Sequence, residues 1–171
     1  VAFSSVFQIG KDRGYTDRNY VGKIDEISIY NRALSMAEVR ELMNLTRNNP
    51  NAGSMPSNDP FLMSYYQFNE QLSSFPYDKV GPRHLLLAGN ANKNVVSTAP
   101  VGGGRFHRMK VNTGGVKDFS SASLSMTFPA SGPYPNGDMV VTRLNVPSDQ
   151  LCASQILPDP AGYWVLRNYG N

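Results

Sequence analysis

Asp25 and Glu26 are the neighbouring carboxylates of this 171-residue sequence that come nearest to acid–base chemistry. Successive side chains of a strand point to opposite faces, so an adjacent pair is poorly placed to act on one bond. A backbone bulge would bring both to one side, but the expected role of the pair is structural. Glu70 and Asp78 present the same choice, and hydrogen bonding to turn backbone is the plainer use of such acids. Asp12 and Asp17 flank Gly14 and Tyr15 in a polar loop. Acids beside an aromatic ring offer hydrogen bonds and stacking, although a solvated loop is the plainer reading. Trp164, between Tyr163 and Val165, reads as core packing before it reads as a stacking platform.

Other chemistries are poorly represented. No Ser-His-Asp order, glycine-rich phosphate loop, metal pair or nucleotide fingerprint occurs. His84 and His107 are too few and too far apart for a metal motif. The single cysteine, Cys152, excludes an internal disulfide framework and a cysteine-based zinc site, and reads as a small buried apolar residue. The net charge of +3 is modest. Arg105, His107, Arg108 and Lys110 form a basic cluster, but they alternate between the faces of one expected strand. A solvated surface suits them better than a phosphate site, and nothing resembles a nucleic-acid module. No apolar run reaches the roughly 18 residues of a membrane span. No signal peptide opens the chain, and Val1 reads as a start inside a domain.

Residues 20–45 supply the local structure around Asp25 and Glu26. Ile27 and Ile29 alternate with Ser28 and Tyr30, the period of a half-buried strand. Ile24 lies out of phase with them, so the spacing predicts a β-bulge at Asp25-Glu26. Asn31-Arg32-Ala33 turns the chain. Ser35 then caps a helix, and Glu38 three residues on completes a capping box. Leu34 and Val39 stand where a hydrophobic staple would, and Val39, Leu42 and Met43 make one apolar stripe. So short a helix must dock on something larger.

That stretch resembles the closing segment of the laminin-G-like, concanavalin-A-type jelly rolls. Their last strand reads roughly (F/Y)-x-G-x-I-D-E-(V/I)-x-(I/V)-Y-N-R-A-L-S and runs into a short helix. Gly22, Ile24, Asp25, Glu26, Ile27, Ile29, Tyr30, Asn31, Arg32, Ala33, Leu34 and Ser35 all match, while Val21 replaces the usual aromatic. Phe7-Gln8-Ile9-Gly10 and the polar loop 11–19 fit the hairpin that enters this strand. The resemblance implies that Asp25 and Glu26 are structural, in some members beside a bound calcium ion. Calcium takes about six to eight oxygens, of which Asp25 supplies at most two. Loops like 11–19 are where such jelly rolls hold sugars, which makes Asp12, Tyr15 and Asp17 candidate ligand-binding residues.

The rest of the chain divides by composition. With 15 glycines, 12 prolines and only 17% charged residues, short strands and turns are favoured over helices. Residues 1–47 read as the end of a jelly roll, and 48–60 as a Pro/Asn/Ser-rich linker. Residues 61–104 form a hairpin module, with strands expected at 62–68, 84–88 and 91–96. Phe68, Asn69, Glu70, Asp78, Gly81 and Leu85 resemble the opening hairpin of the same family, so Asp78 is a second candidate calcium ligand. Residues 105–171 read as an antiparallel β-sandwich with strands at 106–111, 124–128, 139–144 and 163–168. Asn136-Gly137 signals a hairpin before the third of these. Asn44-Leu45-Thr46 is a glycosylation sequon at a helix end.

The fold class expected is therefore all-β with one short helix. The expected function is adhesion or carbohydrate binding, by a non-catalytic fragment of a secreted or cell-surface multidomain protein of the Bacteroidota type. Accessory domains of a secreted glycoside hydrolase or peptidase, and a structural spacer or assembly subunit, are the alternatives. Expected partners are a glycan and further strands from the same protein or a neighbouring chain. No cofactor is expected beyond structural calcium. Ser35 and Glu38, like Asp25 and Glu26, are expected to act structurally.

Overall fold

The structure, a computed structural model, describes residues 7–12, 14–46, 59–70, 75–88, 99–148 and 159–170. Most of the 48–60 linker, the loop 71–74, the expected strand 91–96 and Cys152 lie outside these residues. The described residues form antiparallel sheets with one short helix, a small all-β fold. None of their helices is long and apolar enough to cross a membrane.

The first sheet pairs β1 (Ile27–Tyr30) with β2 (Leu62–Tyr66). Between them in the chain comes the helix α1 (Met36–Leu42). The ladder therefore joins residues on either side of the 48–60 stretch, and the 62–68 segment supplies the partner that β1 needs. The bulge expected at Asp25-Glu26 is not where the register shifts. Glu26 takes a left-handed backbone, φ +53°, and the strand begins only after it. The shift falls between Ile29 and Tyr30, which pair with Ser64 and Leu62 and so pass over Met63. Ile24 is 37% exposed and outside the ladder, so it does not share a face with Ile27 and Ile29.

The expected strand at 84–88 joins no sheet. The outer edge of β2 is already taken. Asp78 Oδ1 accepts from Tyr65 N–H at 3.0 Å, and Tyr65 C=O accepts from Lys79 N–H at 2.9 Å.

A second sheet has the order β3 (Gly104–Val111), β6 (Gly137–Leu144), β7 (Tyr163–Asn168), all antiparallel. A hairpin of β4 (Gly115–Phe119) and β5 (Leu124–Phe128), joined by the 3-10 turn Ser120–Ala122, is inserted between β3 and β6. Val111, Phe119, Ala122, Met139 and Val141 are buried together, with Met109, Leu124, Met126, Phe128 and Tyr134 against them. β4 went unanticipated because only Phe119 of its residues is buried, leaving no apolar alternation to read. Asn136-Gly137 does not close a two-residue hairpin. Asn136 has φ +56° and donates its N–H to Val111 C=O at 2.9 Å, so it returns the chain to β3 after the β4–β5 excursion.

α1 docks on this second sheet, but not through the expected stripe. Leu42 and, just beyond the helix, Leu45 are buried, whereas Val39 and Met43 are 46% and 48% exposed. Polar contacts supply much of the attachment. Glu41 meets Arg108 on β3, Arg40 meets Asp138 on β6, and Thr46 N–H donates to Gly102 C=O at 3.0 Å.

Candidate functional site

The loop after Gly10 is closed at its neck. Lys11 and Asn19 form an isolated antiparallel bridge, and Tyr20 N–H donates to Gly10 C=O at 2.8 Å. Gly10 has φ +81°, a conformation that costs a residue without Cβ little. Inside the loop, Asp12 Oδ1 accepts from Gly14 N–H at 3.0 Å, and Asp12 Oδ2 lies 3.5 Å from Arg18 Nη1. The Arg18 guanidinium sits over the Tyr15 ring, 3.6 Å from its centroid. Tyr15 is nevertheless 51% exposed. Asp12 and Tyr15 are thus brought together through Arg18, a residue that the spacing of acids and aromatics did not single out. Asp17 lends its C=O to Asn19 N–H at 3.2 Å, and its side chain is exposed.

Asp25 and Glu26 do not converge. Asp25 Oδ1 accepts from Glu26 N–H at 3.0 Å. Glu26 Oε2 accepts from the hydroxyl of Tyr65, a fully buried residue of β2 that also receives a bond from Gln67. A buried phenol needs a partner for its O–H, and Glu26 supplies it.

Asp78 is buried among N–H donors. Tyr65 N–H and Val80 N–H each reach its Oδ1 at 3.0 Å, and Arg83 lies 4.0 Å from Oδ2. Burial alone would raise its pKa, but hydrogen bonds from Val80, Tyr65, Ser64 and Gly81 together hold it below the usual carboxylate value. Glu70 binds Lys79 at 3.0 Å. His84 Nδ1 accepts from Asp78 N–H at 3.1 Å. Among the described residues, no three or more His, Cys, Asp or Glu side chains gather as a metal would require.

Ser35 and Glu38 make a reciprocal cap. Ser35 Oγ accepts from Glu38 N–H at 3.2 Å, and Glu38 Oε2 accepts from Ser35 N–H at 2.8 Å. Arg32 adds a fork of 2.6 and 3.2 Å to the Glu38 carboxylate. Those bonds, from Arg32 first and then Ser35, bring the Glu38 pKa down from 4.5 to about 2.

The basic cluster divides between the two faces of β3. Arg108 turns to α1, where Glu41 lies 2.7 Å from its Nε and Asp138 3.5 Å from its Nη1. His107 turns to the other face, accepts Ser121 N–H at Nδ1 and meets Phe119 edge-on. Asn44 of the sequon is buried, and its Nδ2, the atom a glycan would occupy, donates to Pro100 C=O at 2.8 Å.

Compared with protein-family models, curated proteins and solved structures, the chain finds no match in any of the three.

Proposed function

We propose that this chain is a non-catalytic part of an exported or cell-surface multidomain protein, with a laminin-G-like element in its first portion, and that it binds carbohydrate at the loop after Gly10. One observation carries this reading: a half-exposed Tyr15 held by Arg18 and Asp12 in a loop closed at its neck. An ordered aromatic beside polar groups binds a sugar with little loss of side-chain freedom. Asp25, Glu38 and Asp78 are engaged in internal contacts, which supports recognition or architecture over bond-breaking. A glycan array probed with the wild-type chain and Tyr15→Ala tests the reading. Expected is a defined set of bound glycans whose signal falls about tenfold or more in the variant. No binding by the wild type would remove it and favour the structural-spacer alternative, whereas equal binding by both proteins would remove the loop after Gly10 as the site.

A further inference from the structure

Arg105, Arg143 and Trp164 stand in one row across the second sheet. Arg105 is the register partner of Arg143 between β3 and β6, and Arg143 is the partner of Trp164 between β6 and β7. Register partners of antiparallel strands present their side chains on the same face, where like charges directly opposed repel. Five of the six other described arginines, all but Arg167, are set against acids: Arg18 against Asp12, Arg32 against Glu38, Arg40 against Asp138, Arg83 against Asp78, Arg108 against Glu41. Among the described residues, no carboxylate lies within ion-pair distance of Arg105 or Arg143. The Arg143 guanidinium instead lies 5.2 Å from the centre of the Trp164 ring, and its buried Nε has no hydrogen-bond partner among those residues. Trp164 is fixed by donating Nε1–H to Ala122 C=O at 2.8 Å, yet remains 36% exposed.

We infer that this row binds a saccharide bearing a carboxylate or sulfate group. The anion answers both guanidinium groups, whose planar forks suit two-oxygen acceptors, while the sugar ring lies against the exposed indole. A nucleic-acid strand fits the surface less well. It needs a continuous basic track, and Arg108 and Lys110 stand on the opposite face of β3, Arg108 already neutralised by Glu41 and Asp138. The site shares the carbohydrate reading of the chain but none of the residues of the 10–20 loop, so the two fail separately.

Trp164 is the only tryptophan in the chain, which makes its emission a direct reporter. The full chain is titrated with trigalacturonate, a sulfated trisaccharide, a neutral trisaccharide, sodium sulfate and a short oligodeoxynucleotide. Expected is a saturable emission change with at least one of the two anionic saccharides. Arg105→Gln should weaken that binding about tenfold, and Arg143→Gln at least as much, while Tyr15→Ala leaves it unchanged. Arg105 is exposed, so its variant keeps the test informative even if Arg143→Gln does not fold. Arg105→Lys, with the charge but not the fork, should restore only part of the affinity. Equal binding of the neutral trisaccharide would overturn the inference, as would sodium sulfate matching the anionic sugar. Tighter binding of the oligonucleotide, or no emission change with any probe, would overturn it too.

Discussion

Glu41 Oε1 lies 2.7 Å from Arg108 Nε, a contact between residues 67 apart in sequence that fastens α1 to the second sheet. Asp138 extends it, with Arg108 at 3.5 Å and Arg40 at 3.7 Å, and Arg40 also covers the ring of Tyr169 at 4.3 Å. With Val39 and Met43 left half exposed, ion pairs carry an unusual share of this docking. Glu41→Gln is expected to cost about 0.5–1 kcal/mol at low salt, the upper part of the range for partly exposed pairs. Asp138→Asn should cost more, because it deprives two cations. Both losses should shrink at high salt, where such pairs are screened. Urea midpoints at low and high ionic strength check this, and salt-independent losses would refute an ionic attachment.

The cap of α1 predicts a pH dependence. Glu38 has its pKa lowered in the fold, so its contribution is present in full above the ordinary value of 4.5 and fades as pH falls towards about 2. Ser35→Ala should destabilise the chain by about 0.5–2 kcal/mol at neutral pH. Glu38→Gln should flatten the stability profile between pH 4.5 and 2 relative to wild type. Parallel profiles for wild type and Glu38→Gln across that window would show that the carboxylate is not bound as described.

What the sequence made legible here is local, and what it hid is long-range. The Ser35–Glu38 cap could be read because its four atoms lie within one turn. The strands β5 and β7 could be read because their ends are set by turns and alternation. The pairing of β1 with β2 is only one of several that the sequence allows, since nothing in Ile27–Tyr30 chooses the 62–68 segment over strands from elsewhere in the protein or from a neighbouring chain. The same holds for the site. Tyr15 and Asp12 stood out by type, but Arg18 enters only once the loop closes. Arg143 gains meaning only from its neighbours on two other strands.

Asp78 gives a third prediction. Its carboxylate satisfies the buried Tyr65 N–H on the outer edge of β2. Asp78→Ala leaves that donor without an acceptor, at an expected cost of about 1–3 kcal/mol. Asp78→Asn keeps one oxygen and should cost less. Because its pKa is lowered, the stabilisation should persist above the usual carboxylate value and weaken as pH falls below it. Added calcium separates this role from metal ligation. Millimolar calcium should leave the wild-type Tm where an equal ionic strength of sodium chloride leaves it. A rise seen with wild type and lost in Asp78→Asn would make Asp78 a calcium ligand.

The β1–β2 ladder makes the last prediction, and it depends on which edge each backbone group faces. Tyr65 turns its N–H to Asp78 and its C=O to Lys79, so both point away from β1. In an antiparallel pair, residues alternate between exchanging hydrogen bonds with the partner strand and facing away from it. Ser28, opposite Tyr65, must therefore also face outwards, whereas Ile27 and Ile29 bond to Tyr66 and Ser64. Asn31 N–H closes the far end by donating to Phe61 C=O at 3.0 Å. Hydrogen exchange resolved by residue should thus alternate along β1, slow at Ile27 and Ile29 and fast at Ser28. Ile24, outside the ladder, should exchange fast as well. Addition of a further strand to the outer edge of β1 would instead slow Ser28 and erase the alternation, the result expected if a neighbouring chain pairs there. Diluting the chain distinguishes the two, because protection that comes from a second copy falls with concentration while the β1–β2 pattern stays. Fast exchange at all of Ile27, Ser28 and Ile29 in dilute solution would mean that β2 is not the partner of β1.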